Sequence, residues 1–257
     1  MPVTSLALAA VAAALGGAIN SIAGGGTLLT FPVIVALGVS PLTANVTNTM
    51  SLWPGALGSV WGYRSHLAGV RPLVPAMGIA SLLGAIVGAW LLLTTGNRRF
   101  EQIVPFLVLG ATGLFIAQGP IGRWLGARAS AGAGGTPMRV SVGFLLGQML
   151  VAVYGGYFGA GIGILMLAAL GLIGLTDIHQ MNALKIFAAL VTNVVAAVIF
   201  AASGAIDWPL AGAMAAGSLL GGYGGARLAQ RVGRVWVRRA VAAIGIGAFV
   251  FLLWNRS

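Results

Sequence analysis

Apolar residues fill almost the whole chain, in runs that are interrupted only by short polar or glycine-rich gaps. The first ionic side chain is Arg64, because residues 1–63 contain no Asp, Glu, Lys or Arg. The apolar segments form two sets of five, at residues 3–20, 26–38, 42–64, 72–95 and 100–118, and at residues 140–157, 163–175, 180–203, 209–230 and 236–254. About 20 apolar residues cross a bilayer, so the pattern predicts an all-α polytopic membrane protein. The first segment lacks the basic start of a signal peptide and is expected to remain as a membrane helix.

The two sets of segments are related by an internal repeat. A shift of 137 residues aligns the chain with itself without a gap from Ala23 to about residue 116. Residues 72–91 match residues 209–228 at eleven of twenty positions, including a shared Pro-Leu-x-x-Ala-Met. Biased composition does not produce such a motif at a constant offset. We therefore predict three parts: an N-terminal repeat at residues 1–118, a linker loop at 119–137 and a C-terminal repeat at 138–257.

The second segment of each repeat is too short to span a bilayer and starts at a glycine cluster. The first cluster is Gly24-Gly25-Gly26, and the more dispersed second cluster contains Gly161 and Gly163. Irregular backbone inside a membrane needs protein or a wet cavity around it, and paired interruptions in two halves indicate a binding site. A helix that starts there would present free N–H groups and about half a positive charge to an anion. The alternative is that these glycines only permit close helix packing.

The charges between the segments favour one topology. If each short segment turns back, each repeat crosses the membrane an odd number of times, and nine arginines face one side against three on the other. If the short segments leave the number of crossings in each repeat even, six basic residues face each side of the membrane. Basic loops favour the cytoplasm, so we expect the topology in which nine arginines face one side and three face the other. The larger group is Arg64, Arg71, Arg123, Arg128, Arg139, Arg231, Arg234, Arg238 and Arg239, and the smaller is Arg98, Arg99 and Arg256.

Odd numbers of crossings make the two repeats inverted relative to each other. Each repeat would then consist of a broken or re-entrant helix pair plus three spanning helices, and both termini would be extracytoplasmic.

Composition excludes several classes of protein. The chain is 59% hydrophobic and 7% charged, whereas a soluble domain carries about 25% charged residues. The net charge of +11 lies in short gaps between apolar segments, so we expect no nucleic-acid partner. There is no cysteine and there are only two histidines, so we expect neither a metal site nor a cofactor. No nucleophile–base pair, carboxylate dyad or phosphate loop is visible, so we do not expect an enzyme.

Lys185 is the single lysine of the chain and lies a few residues inside an apolar segment. A charge at bilayer depth costs at least about 2.5–3.5 kcal/mol, which makes it a functional candidate. The acidic residues Glu101, Asp177 and Asp207 all lie near segment ends. An ammonium without an acidic neighbour would bind a mobile anion if it faced a cavity. The alternatives are that Lys185 snorkels to the interface or pairs with Asp177.

Asparagines accompany Lys185 at positions related by the repeat. Lys185 aligns with Asn48, and Asn182 aligns with Asn45. Positions three apart lie on one helical face, so each pair would face the same side of its helix. Further candidates for contact with a substrate are Asn20, Thr27 and Thr49, although each alone is more typical of interhelical hydrogen bonding.

Two stretches resemble the TauE/SafE sulfite exporter family. They are Asn20-Ser-Ile-Ala-Gly-Gly-Gly-Thr-Leu-Leu-Thr-Phe-Pro with Gly38-Val-Ser-Pro-Leu-Thr-Ala-Asn-Val-Thr-Asn, and Gly159-Ala-Gly-Ile-Gly-Ile with Met181-Asn-Ala-Leu-Lys. The resemblance covers essentially the whole chain. It implies a multi-pass permease of the bacterial inner membrane whose substrates are small, often sulfur-containing anions. It also implies ligand roles for Asn20, Gly24, Gly25, Gly26, Asn45, Asn48, Asn182 and Lys185.

We therefore expect a secondary transporter that moves sulfite or an organosulfonate such as sulfoacetate by alternating access, with export favoured. A passive anion channel is the alternative, and an intramembrane enzyme or a non-transporting assembly subunit are weaker ones. The expected partners are the small anion and membrane lipid. The sequence leaves a homo-oligomer, the direction of transport and the coupling ion open.

Overall fold

Helices form every regular element in the residues that the computed structural model describes, which are 1–23, 25–131, 141–173, 175, 177–228 and 234–254. A short 3-10 turn, Ala68–Val70, lies between the third and fourth helices. The helices are α1 Val3–Ala23, α2 Gly26–Ala36, α3 Pro41–Leu67, α4 Leu73–Ala131, α5 Val142–Tyr157, α6 Ile162–Leu172, α7 Ile178–Ala202, α8 Trp208–Leu228 and α9 Arg234–Trp254.

Helix α4 consists of two arms that meet at Gly96. This residue has φ 69° and ψ 166°, a conformation that is essentially restricted to glycine. The chain therefore changes direction there, and the arms at residues 97–131 and 73–95 act as separate helices. The predicted linker at 119–137 is wrong for its first part, because residues 119–131 continue the second arm. Alanine recurs in this stretch, and its high helix propensity explains the extension; residues 132–137 lie outside the described part of the chain.

Helices of the first half pair with helices of the second half through small residues. Helix α1 packs along α8, and the first arm of α4 packs along α5. A Cβ atom on Gly217 would collide with the carbonyl oxygen of Ala10, and one on Gly88 would collide with that of Val153. In a membrane, such close approach of backbones supplies the van der Waals contact that associates helices.

Helices α3 and α7 pack against each other and run in opposite directions. At one end, the ring of His66 in α3 stacks on that of His179 at the start of α7, with centroids 5.2 Å apart. At the other end, Thr47 Oγ1 in α3 accepts a hydrogen bond of 3.1 Å from the amide of Asp207, just beyond α7. Helix α4 contacts both members of this antiparallel pair, and α8 contacts α3.

Several arginines lie at opposite ends of the bundle. Arg64 lies one turn before the end of α3, at the His66 end, and Arg71 follows the adjacent 3-10 turn. Arg98 and Arg99 follow Asn97, whose Oδ1 accepts a hydrogen bond of 3.2 Å from the amide of Leu42 at the start of α3.

The apolar surface of the bundle is that of a membrane protein. Trp90, Leu150 and Leu220 are 61%, 69% and 76% exposed, as expected where lipid rather than water surrounds the side chains. Three helices in the described residues are long and apolar enough to cross a bilayer, with the apolar stretches Val3–Asn20, Leu73–Ile121 and His179–Ala202. Helices α2 and α6, with 11 residues each, are too short, as predicted.

We predict that Gly88→Ala destabilises the protein. Its added Cβ collides with the backbone of Val153, and overpacking of this kind costs about 1–3 kcal/mol. The thermal unfolding midpoint in detergent should fall. The matched control is Gly113→Ala, where nothing lies within 4 Å of the added atom. Equal midpoints for the two variants would contradict this account of the interface.

Candidate functional site

The first glycine cluster interrupts the chain between α1 and α2. Gly25 has φ +150°, and its amide donates a hydrogen bond of 3.4 Å to Asn20 Oδ1. Helix α2 starts at Gly26, where an added Cβ would collide with the carbonyl oxygen of Gly16. The short helix therefore turns back along α1 instead of continuing it. Gly24 lies outside the described residues.

The second glycine cluster interrupts the chain between α5 and α6. Gly159 and Gly161 both have positive φ, +79° and +78°. The hydroxyl of Tyr154 donates a hydrogen bond of 2.6 Å to the carbonyl oxygen of Ala160 and so holds the loop from within α5. Helix α6 starts at Ile162. The predicted interruption is therefore present in both halves of the chain.

Both interruptions pack on one stretch of the second arm of α4. A Cβ atom on Gly25 would lie 2.7 Å from the ring of Phe115, and one on Gly161 would lie 3.6 Å from the carbonyl oxygen of Ala111. Residues 111 and 115 are one helical turn apart. The starts of α2 and α6 therefore lie at nearly the same level of the bundle. The first amides of a helix have no acceptor within it. Here those of Leu28, Ile162 and Ile164 donate to the loop carbonyl oxygens of Gly25, Gly159 and Gly161.

Asn48 and Lys185, which the repeat aligns, each lie against the short helix of their own half. Asn48 is buried in α3 and accepts a hydrogen bond of 2.6 Å from Thr30 Oγ1 in α2. Lys185 lies in α7, and its Cδ is 3.3 Å from the position of a Cβ on Gly163 in α6. Lys185 Nζ donates a hydrogen bond of 2.9 Å to Asn182 Oδ1. The ammonium is thus held beside the start of α6.

Asn45 connects α3 to the interruption in the other half. Its Nδ2 donates a hydrogen bond of 2.9 Å to the carbonyl oxygen of Tyr157 at the end of α5. Its Oδ1 is buried and has no hydrogen-bond partner among the described residues. A buried acceptor without a donor costs about 1–3 kcal/mol, so this oxygen is suited to a donor such as a water molecule.

The acidic side chains near the helix ends have other roles. Asp177 Oδ1 accepts hydrogen bonds from the amides of His179 and Gln180 and caps α7. Asp207 Oδ1 accepts from the amide of Leu210 in α8. Lys185, two turns into α7, has Asn182 as its hydrogen-bond partner instead of the predicted alternative, Asp177.

The predicted residues fall into groups around the two short helices. Gly25, Gly26 and Thr27 lie at the start of α2, and Asn20 in α1 bonds to Gly25. On α3, Asn48 contacts α2, whereas Asn45 contacts the end of α5. Gly161, Gly163, Asn182 and Lys185 lie around the start of α6. Thr49 Oγ1 bonds back to the carbonyl oxygen of Asn45 at 3.0 Å, as a threonine does in a helix interior.

Sequence reasoning missed three residues that hold this region together: Thr30, Tyr154 and Phe115. Thr30 follows the first glycine cluster by one turn, which was a usable signal for a polar contact of α2. The roles of Tyr154 and Phe115 depend on tertiary contacts that no local pattern encodes.

Comparison with known proteins identifies the family. A family model described as "Sulfite exporter TauE/SafE" matches residues 8–252. The chain belongs to the TauE/SafE family. TauE/SafE is a family of membrane transporters, and its model covers both glycine clusters and Lys185.

Relatives of this TauE/SafE protein carry matching descriptions. A "Probable membrane transporter protein" of Haemophilus influenzae is 29% identical over 87% of this chain and 84% of its own length. The "Probable membrane transporter protein ORF9" of a Sinorhizobium species is 29% identical over 96% and 92%. The "Probable membrane transporter protein YfcA" of Escherichia coli K12 is 28% identical over 95% and 87%. No solved structure matches the chain.

We predict that Gly25→Ala destabilises the protein more than Gly38→Ala does. Both glycines have positive φ, and a left-handed conformation costs an alanine about 1–2 kcal/mol. Only at Gly25 must the added atom also displace a ring, that of Phe115, because nothing lies within 4 Å at Gly38. Thermal unfolding in detergent measures the difference, and equal shifts would show that Phe115 does not confine the interruption.

Proposed function

We propose that the chain is a secondary transporter that exports a small anion, sulfite or an organosulfonate such as sulfoacetate, by alternating access. The observation that carries the proposal is the position of Lys185. Its ammonium is partly buried at the start of α6 and is bonded to a neutral asparagine. The family model and the descriptions of the relatives support the transporter class.

Charge balance supports an anionic substrate. A cation within the bilayer is costly unless something neutralises it, and the carboxylates of Asp177 and Asp207 cap helices. The first turn of α6 adds its partial positive charge beside the ammonium. A mobile oxyanion would accept hydrogen bonds from both, and bonds to charged groups contribute about 1.5–3 kcal/mol each. The predicted ligands are therefore Asn20, Gly24, Gly25, Gly26, Thr27, Asn45, Asn48, Thr49, Gly161, Gly163, Asn182 and Lys185.

An inverted-repeat arrangement fits the packing. The halves, at residues 1–118 and 138–257, would each contribute one interrupted helix pair. The antiparallel course of α3 and α7, which occupy matching places in the two halves, supports this inversion. The helix pairs between the halves also support it, because α1 packs on α8 and its counterpart α5 packs on the first arm of α4, the counterpart of α8. Alternating access in such proteins is a rocking of one repeat against the other around a fixed site.

We predict that the amino terminus and the end of α3 are labelled from opposite sides of the inner membrane. The chain has no cysteine, so Thr4→Cys and Ser65→Cys each introduce a unique thiol. If both termini are extracytoplasmic, a membrane-impermeant maleimide should label Thr4→Cys in intact spheroplasts and label Ser65→Cys only after lysis. The reverse pattern would invert the orientation, and labelling of both from outside would contradict the topology.

We predict that Lys185→Ala lowers sulfite efflux from proteoliposomes by about tenfold or more, because it removes a charged hydrogen-bond donor. Lys185→Arg keeps the charge and should retain more flux. Arg98→Gln, at an exposed end of the bundle, is a control for loss of positive charge. Sulfoacetate is measured in parallel. Flux in Lys185→Ala equal to that of the unaltered protein would remove the ammonium from the mechanism.

A passive anion channel is the second candidate, and the same vesicles distinguish it. A transporter shows saturation and accelerates uptake of labelled anion when unlabelled anion is inside. A channel shows neither, so flux that rises linearly with concentration without counterflow would favour it.

A further inference from the structure

A groove with two arginines lies at the His66 end of the bundle, where α3, α4 and α7 meet. It encloses about 280 Å³. Arg64 and Arg71 supply its charged groups, and its apolar lining consists of Leu67, Ala68, Val74, Pro75 and Phe187. Both arginines are exposed, and none of the described residues that line the groove is acidic. The groove therefore combines two guanidinium groups with an adjoining apolar wall.

The apolar wall extends from the end of the bundle towards its middle. Phe187 is nine residues beyond the first residue of α7, a rise of roughly 14 Å along the helix. Arg64 lies in the last turn of α3 and Arg71 just beyond it. The charged groups thus lie at the level of the helix ends, and Phe187 lies within the apolar stretch His179–Ala202, which is long enough to cross a bilayer.

This groove is separate from the proposed anion site. Phe187 and Lys185 are two residues apart on α7, which places them about 200° apart around the helix. The ring of Phe187 would lie 3.5 Å from a Cβ atom added to Gly78 in the first arm of α4. Lys185 instead lies against Gly163 in α6. An anion that enters the groove therefore does not reach the ammonium along the same face.

We propose that the groove binds one anionic phospholipid molecule. Guanidinium groups bind phosphate through paired hydrogen bonds, and basic pockets between membrane helices hold anionic head groups at the cytoplasmic surface. The acyl chains would pack along Val74 and Phe187. A soluble anion would use only the arginines and would leave the apolar wall uncovered. The proposal depends on the embedding of the chain in a membrane and is independent of transport.

The test is to titrate the full chain in detergent with phosphatidylglycerol and to measure the bound lipid by native mass spectrometry. Arg64→Gln with Arg71→Gln should weaken phosphatidylglycerol binding about tenfold, because each basic residue near the surface contributes to it. Arg98→Gln with Arg99→Gln removes the same charge at the other end of the bundle and should leave binding unchanged. Arg64→Lys with Arg71→Lys keeps both charges and should bind phosphatidylglycerol more tightly than the variant with two glutamines.

A second variant tests the apolar wall without changing charge. Val74→Trp should fill the groove and lower lipid occupancy, while an unchanged unfolding midpoint shows that the protein remains folded. Equal weakening by the two arginine pairs would overturn the proposal, because it would show general attraction to positive charge. Equally tight binding of phosphatidylcholine would also overturn it, as would equally tight binding of glycerol phosphate, which would identify a site for a free anion.

Discussion

The backbone inside a bilayer has no water to bond with, so a helix can be interrupted there only if other protein groups replace the missing partners. Both interruptions in this chain meet that condition locally. Asn20 accepts from the amide of Gly25, and Tyr154 donates to the carbonyl of Ala160. The amides of Leu28, Ile162 and Ile164 also donate to the carbonyl oxygens of Gly25, Gly159 and Gly161, so only the other first amides of α2 and α6 are proposed to contact a guest. The anion site that we propose rests on this division between backbone groups that already have partners and those that have none within their helix.

Small residues make the rest of the arrangement possible. The pairs α1–α8 and α4–α5 approach so closely that an added methyl group at Gly217 or Gly88 would collide with the opposite backbone. The two short helices contact the antiparallel pair, α2 on α3 and α6 on α7. Polar contacts then fix them in place, as Thr30 does by its bond to Asn48.

Much of this could be predicted from the sequence because its signals are local. The glycine clusters marked both interruptions, and the isolation of Lys185 in an apolar segment marked it as unusual. The repeat also placed Asn48 and Lys185 at equivalent positions. The partners could not be predicted, because Phe115 reaches Gly25 and Tyr157 reaches Asn45 only through folding. The length of α4 was missed since alanine, glycine and serine serve both linkers and helices.

The exchange of partners between the halves also affects how the protein is made. Helix α1 leaves the ribosome about 200 residues before α8, the helix on which it packs. Helix α4 likewise precedes its partner α5. The face of α1 that contains Ala10 and Ala14 packs on Gly217 and Gly221 of α8, so it has no such partner until α8 has been synthesised. The α1–α8 interface can therefore form only after nearly the whole bundle has been synthesised.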